Sequence, residues 1–365
     1  MKSSYKLLGT YIEPANQLND GMEVKELLGI SNQKFFQNSH TNTIDIDLQT
    51  YRIVRTNQFA YNRATTRNGD KISIALRQGN DCIVSPSYRI FRSKDENILN
   101  SEYLMMWFRR PEFDRYARFK SHGSAHEFFE YEQMCQVELP IPSITKQREI
   151  VKEYNVIQNR IALNQQLIQK LEETAQAIYK QWFVEGIDLE KLPEGWSFET
   201  LEKVTKMKYG KMLDSELFLE KGYPVFSGYG VRGYYSEYMY EEPQILVLCR
   251  GVSGTGEVRL SPRFSYITNL SIVVEVDKPT ISKMYLYYYL RNSDLKSLDS
   301  GSAQSMITTG DLYFQDALLP PSELQMKFDK VAKTIMKEIE IKNQENQKLT
   351  ELKDLLLSKL ATIEG

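Results

Sequence analysis

The sequence predicts an α+β protein: two globular mixed α/β domains separated by two long helices that form an antiparallel coiled coil. Three observations predict it. The chain matches itself at a fixed offset, each copy closes with a long polar segment of heptad spacing, and each copy carries short β-branched runs followed by an aromatic-rich segment.

The offset is seen first at Gly123-Ser-Ala, which falls on Gly301-Ser-Ala. It continues with Gln147 on Gln325, Lys152 on Lys330, Ile157 on Ile335, Ile161 on Ile339, Gln166 on Gln344, and Gln169-Lys-Leu on Gln347-Lys-Leu. Leu139-Pro-Ile-Pro-Ser and Leu318-Leu-Pro-Pro-Ser match after a small shift, so each half reads as a domain, a Pro-punctuated turn and a long helix. The expected division is a first domain over 1–144, a central spacer helix over 145–188, a second domain over 189–321 and a C-terminal helix over 322–365.

In the first helix, Ile157, Ile161, Asn164, Ile168, Leu171, Ala175, Ile178 and Trp182 alternate at spacings of four and three, the period of a coiled-coil seam. The second, read at the same offset, gives Ile335, Ile339, Lys342, Asn346, Leu349, Lys353, Leu356 and Leu360, with Leu352 and Leu355 widening the stripe. A segment of about 40 residues is roughly 60 Å long at 1.5 Å per residue, too long to pack only on one small domain. The expected partner is the other helix. Asn164 either fixes the register of the seam or faces solvent.

The globular parts carry Ile72-Ser-Ile-Ala-Leu, Cys82-Ile-Val-Ser, Ile245-Leu-Val-Leu-Cys and Leu270-Ser-Ile-Val-Val-Glu-Val, strand-like in length and β-branched content. Tyr103-Leu-Met-Met-Trp-Phe and Tyr285-Leu-Tyr-Tyr-Tyr-Leu follow them and read as packed helices. The 23 tyrosines concentrate in these domains, where a ring can pack while its hydroxyl finds a partner.

Composition narrows the classes. With 365 residues, 41% apolar and 26% charged, the chain can bury more than one core and is not a disordered or fibrous protein. The sequence has no long apolar run and its first residues lack the pattern of a signal peptide, so a soluble cytoplasmic protein is expected. Cys82, Cys135 and Cys249 lie too far apart for a local disulfide framework or metal site, and His122 and His126 lack a third ligand.

The net charge of −2 does not point to nucleic acid, but its distribution is uneven. Arg52 to Arg92 holds eight basic residues (Arg52, Arg55, Arg63, Arg67, Lys71, Arg77, Arg89, Arg92) against Asp70 and Asp81, an excess suited to neutralising phosphates. Lys203, Lys206, Lys208 and Lys211 make a smaller run; the alternative for both is an ordinary solvated face.

Motifs suggestive of catalysis fail on context. Gly228-Tyr-Gly-Val-Arg-Gly fits G-x-G-x-x-G, and Phe226-Ser-Gly-Tyr-Gly fits the start of an adenosylmethionine site. Tyr223-Pro precedes, Tyr234-Tyr-Ser follows and the next strand ends in Arg250-Gly, so a glycine-rich surface loop is expected. No Asn-Pro-Pro-aromatic methyltransferase motif, phosphate-binding G-x-x-x-x-G-K-[ST] or convincing metal-nuclease carboxylate cluster occurs.

Across essentially its whole length the chain resembles the DNA-specificity (S) subunits of type I restriction-modification systems. The matching stretches are Gly29-Ile-Ser, Tyr51-Arg-Ile-Val through Phe59-Ala-Tyr-Asn-Arg, Ile83-Val-Ser-Pro-Ser-Tyr-Arg-Ile-Phe, Gly123-Ser-Ala, Gln147-Arg-Glu-Ile-Val and Leu192-Pro-Glu-Gly-Trp. In the second half they are Tyr223-Pro-Val-Phe-Ser-Gly-Tyr-Gly-Val-Arg-Gly-Tyr, Arg250-Gly-Val-Ser-Gly-Thr-Gly and Gly301-Ser-Ala-Gln-Ser. One departure is the start at Tyr5-Lys-Leu-Leu-Gly, without the Leu-Pro-x-Gly-Trp lead-in of the second half.

The resemblance implies a non-catalytic chain whose two target-recognition domains each read one half of a split sequence in double-stranded DNA. The helices would act as spacer and docking surface for two modification (methyltransferase) subunits. Those would bring adenosylmethionine, and restriction/translocase subunits would bring ATP and Mg; no cofactor, metal or membrane is expected of this chain. Half-sites one helical turn apart require readers about 34 Å apart, a spacing a rigid helical pair can hold. Arg52, Arg63, Arg67, Lys71 and Arg77 are candidates for phosphate contact in the first domain, and Asn62 and Arg63 for base edges. In the second, Lys208, Lys211, Arg232, Arg250 and Arg259 are the phosphate candidates, while Tyr229, Ser253 and Thr255, in glycine-rich loops narrow enough to approach a groove, are further DNA-binding candidates. The helix–helix residues are Ile157, Ile161, Ile168, Leu171, Ile178, Trp182, Ile335, Ile339, Leu349, Leu356 and Leu360. The competing readings are a coiled-coil protein-interaction scaffold without DNA binding and a self-sufficient methyltransferase.

Overall fold

A computed structural model of the chain describes residues 5–39, 46–64, 71–121, 127–251, 254–299 and 306–363. Both Gly-Ser-Ala stretches, the three histidines, Arg67 and Ser253 lie outside the described residues. Two compact units form: residues 1–164 with 344–365, and residues 165–343. Each holds one globular part and a portion of both long helices, Ile144–Phe183 and Ser322–Lys359.

In the first unit a four-stranded antiparallel sheet takes the order Ile12–Pro14, Tyr88–Ser93, Gln58–Asn62, Ile74–Leu76. Phe59 stands opposite Phe91 on neighbouring strands, and their rings stack at 4.9 Å, the cross-strand contact that stabilises a sheet face. The aromatic-rich helix Ser101–Phe108 covers that face, with Tyr103, Leu104 and Phe108 fully buried. Asn100 caps it by accepting from the Tyr103 amide.

The second unit repeats the plan. Its antiparallel sheet runs Thr205–Tyr209, Ser271–Val276, Ile245–Leu248, Val258–Leu260, and its helix Lys283–Asn292 is capped by Ser282. A further small sheet pairs Tyr223–Phe226 with Val231–Tyr235 and, in parallel, with Tyr266–Ile267. The G-x-G-x-x-G match is therefore the turn and returning strand of this hairpin.

Two features recur in both units. The strand opening each domain pairs with the one closing it, Tyr5–Leu7 with Glu138–Pro140 and Ser197–Thr200 with Asp316–Leu319. A buried glutamine then ties the long helix to the helix-capping residue. Gln147 accepts from the Asn100 amide and donates to the Ile98 and Pro142 carbonyls; Gln325 accepts from the Ser282 amide and donates to the Pro320 carbonyl. The duplication read from sequence is thus a duplication of hydrogen-bond partners.

Within each unit the two helix portions run antiparallel. In the first, Ile150, Val151 and Tyr154 share a core with Leu357 and Leu360, while Asn164 further along meets Asn346. In the second, Tyr179, Trp182 and Phe183 close around Phe328. Every seam position read from the heptads is buried or half-buried. Leu352 and Leu355 correct the expectation: 49% and 52% exposed, they lie off the seam. An antiparallel pair has only a narrow contact stripe, and residues next to it in the helical period turn outward.

Candidate nucleic-acid interface

The first unit brings two guanidinium groups to one carboxylate and a third close to those two. Arg52 begins strand Arg52–Val54, Arg63 follows strand Gln58–Asn62, and Arg89 lies in the neighbouring strand opposite Tyr61. Glu130 receives Arg63 at 2.5 Å and Arg89 at 3.6 Å. The Arg63 guanidinium also lies 4.4 Å from the centre of the Phe128 ring, a cation–π contact that holds it in place. Arg52 has no carboxylate partner among the described residues, and its Nε is buried without a hydrogen bond. Burial first, then the like charges of Arg89 and Arg63, push the Arg52 pKa below the ordinary arginine value. A cationic cluster held at this cost is suited to an anion, which would relieve both the repulsion and the orphaned donor.

Asn62 lies at the end of the same strand, its side chain accepting from the Ala64 amide, and Lys71 is exposed. Arg77 is placed differently. It pairs with Glu26 at 2.6 Å, lies over the Phe36 ring and keeps only 12% of its side chain exposed. The apparent excess of charge in this stretch is reduced by acids from outside it: Arg55 pairs with Glu23 as well as with Asp81 of the same stretch, and Arg92 with Glu13.

The lysine run of the second unit is neutralised in the same way. Lys203 pairs with Glu199, Lys206 with Asp277 and Lys208 with Glu275, the last two acids standing on or just beyond the adjoining antiparallel strand. Arg259 pairs with Glu257. Three candidates have no carboxylate partner among the described residues: Lys211, Arg232 and Arg250, all exposed. Arg232 lines an open cavity of about 410 Å³ with Phe218, Asn269 and Thr268, whose hydroxyl is buried without a partner. Tyr229 projects from the hairpin turn toward the Arg250 loop, and Thr255 is buried, its hydroxyl donating to the Gly251 carbonyl.

Arg89, Glu130 and Phe128 were not among the residues singled out from sequence. Arg89 belongs to the basic stretch, but nothing local distinguishes it from Arg92. Glu130 lies 67 residues from Arg63, and only the fold joins them. Among the described residues no group of His, Cys, Asp or Glu could hold a metal ion, and no helix is long and apolar enough to cross a membrane.

The chain is thus a two-unit protein, each unit a sheet-and-helix domain with a portion of both long helices. Residues 19–173 and 193–351 match the type I restriction modification DNA specificity domain, and the chain belongs to that family. It is 24% identical over 255 residues to a protein described as the MjaX specificity subunit of Methanocaldococcus jannaschii, covering 63% of this chain and 60% of that one. It is 22% identical over 296 residues to the MjaIX specificity subunit of the same organism, covering 71% and 68%. The crystal structure of a type I S subunit from M. genitalium shares the fold, with a TM-score of 0.63 at 18% identity over 98% of this chain and 95% of that one.

Proposed function

We propose that this chain reads a bipartite sequence in double-stranded DNA for a type I restriction-modification complex, one half per globular domain. The observation that carries the reading is the Arg52, Arg63 and Arg89 cluster, two of whose members share the Glu130 carboxylate, together with Lys211, Arg232 and Arg250 in the second unit. Phosphate contacts would set register, and arginine or asparagine side chains would read base edges.

The long helices are the docking surface for two modification subunits. Val156, Leu163, Leu352 and Leu355 are 49–62% exposed on the helix portions of the first unit, apolar area that a partner would cover. The modification subunits supply adenosylmethionine and the methyl-transfer chemistry; restriction/translocase subunits supply ATP- and Mg-dependent steps. This chain contributes recognition and spacing, in the cytoplasm where its DNA resides.

The test is methylation mapping in cells. Deleting the gene should abolish one bipartite methylation pattern. Replacing residues 190–320 by the matching domain of a relative should change one half of the target and keep the other. Inserting four residues near Gln166 adds about 6 Å of helix and should lengthen the gap alone. A domain replacement that altered both halves together would refute the two-reader arrangement. DNA retention that ignores salt, or is absent with the methyltransferase partner present, would favour a protein-interaction scaffold.

A further inference from the structure

The loop that carries Arg250 is built around a tyrosine from another part of the second unit. The Tyr229 hydroxyl donates to the Arg250 carbonyl at 2.8 Å. Its ring lies against the backbone on both sides of residues 252–253. A Cβ at Gly251 would stand 2.2 Å from the Tyr229 oxygen, and one at Gly254 would stand 2.5 Å from its Cε1. At such distances a side chain at either position would displace the Tyr229 ring, and at Gly251 the φ of +133° also favours glycine.

Each side of this contact is anchored in turn. Thr255 donates to the Gly251 carbonyl at 2.7 Å, and the Gly256 amide donates to Leu248. Arg250 makes a β-bridge to Met306, and the Ile307 amide donates to the Cys249 carbonyl. Tyr229 follows Gly228, whose φ is +82° and where a Cβ would strike Ser271 Oγ and Leu248. The turn is therefore seated on the main sheet of its unit. The Arg250 side chain is left exposed, without a carboxylate partner among the described residues.

We propose that Tyr229 is a positioning residue for sequence discrimination in the second half of the target, acting by fixing the Arg250 backbone rather than by touching DNA. The inference rests on the DNA-reading role given above to Arg250. A guanidinium gains base selectivity from a bidentate approach to one base edge, and that requires its backbone to be held against rotation. A tyrosine seated on two glycines with its hydroxyl on the arginine's own carbonyl provides such a hold. It accounts for a half-exposed ring that lies against the Arg250 loop.

The test uses the full chain in complex with its methyltransferase partner, with methylation rates measured on the cognate duplex and on duplexes changed at single bases in either half. Arg250→Ala should lose roughly 5- to 150-fold of selectivity at one position of the second half. Tyr229→Ala should lose selectivity at that same position and leave the first half unchanged. Tyr229→Phe keeps the ring and removes the hydroxyl, so it should fall between parent and Tyr229→Ala, and it serves if Tyr229→Ala does not fold. Gly254→Ala should resemble Tyr229→Ala, and the double variant should be no worse than Tyr229→Ala alone, because both remove one contact. Two results would overturn the proposal: full selectivity in both tyrosine variants where Arg250→Ala has lost it, or a selectivity loss in Tyr229→Ala at a different base position. An Arg250→Ala complex that discriminates like the parent would instead remove the reading of Arg250 itself, and the proposal with it.

Discussion

Asn164 donates from Nδ2 to Asn346 Oδ1 at 2.9 Å, joining the two long helices within the seam of the first unit. Asn164 is 3% exposed, among apolar seam positions on either side. A buried amide that finds its partner in only one alignment penalises every other register, at some cost in stability. Beside it, Arg160 pairs with Glu345 at 2.7 Å, but this pair is open to solvent and adds little.

Asn164→Val should destabilise the chain by roughly 1–3 kcal/mol, because it leaves the Asn346 amide half-buried and unpaired. The double variant Asn164→Val/Asn346→Val should recover much of that loss and loosen the register. Thermal unfolding and cysteine cross-linking between the helices check the two halves of this expectation. A double variant as unstable as the sum of the singles would show that the pair is not coupled.

Gln147 and Gln325 make the same prediction twice. Gln147→Ala strands the Asn100 amide and the Ile98 and Pro142 carbonyls, and should cost about 1–3 kcal/mol. Hydrogen exchange should report the damage in the first unit for Gln147→Ala and in the second for Gln325→Ala. Equal loosening of both units by either variant would contradict the division of the chain.

For the arginine cluster the expected readout is salt. Arg52→Ala should lower the slope of log affinity against log salt by about 0.9, one phosphate contact on duplex DNA. Glu130→Gln removes the acid that Arg63 and Arg89 share, so it should tighten non-specific binding and relax selectivity for the first half-site. Unchanged salt slopes in both variants would leave the cluster a structural one.

Alkaline pH should unfold the protein cooperatively. Burial pushes the hydroxyls of Tyr61, Tyr103, Tyr179, Tyr285 and Tyr288 above their usual value of 10.0, and the Cys82 thiol from 9.0 up to about 12. The folded state keeps these protons where the unfolded state releases them. The stability they contribute is complete below the unfolded values and is lost as pH rises beyond them. Lys34 and Lys283, held below the usual lysine value by burial, act in the opposite direction but are fewer. The midpoint of thermal unfolding should be nearly flat to about pH 9 and fall steeply above pH 10. Tyrosine ionisation should coincide with loss of ellipticity; buried tyrosines that titrate near pH 10 in a folded chain would refute this.

Much of this molecule is determined by local sequence. Heptad spacing depends only on the 3.6-residue turn of a helix, so Ile157 to Trp182 and Ile335 to Leu360 could be assigned to a seam before any fold was known. The duplication, the aromatic helices and the β-branched strands were legible for the same reason, since each is a pattern within a few turns or one strand. Charge was not. The sequence counts eight cations between Arg52 and Arg92, but Glu13, Glu26 and Glu130 come from elsewhere to neutralise Arg92, Arg77 and Arg63, and among the described residues no acid pairs with Arg52. Glu275 and Asp277 do the same to the lysine run across a strand pair. Tyr229 reads from sequence as one more exposed aromatic in a glycine-rich turn, and only the fold seats it on Gly251 and Gly254. Which cations remain free and which loops are braced depend on contacts within a few ångströms between residues many positions apart. Such contacts are fixed by strand register and packing, which only the tertiary structure decides.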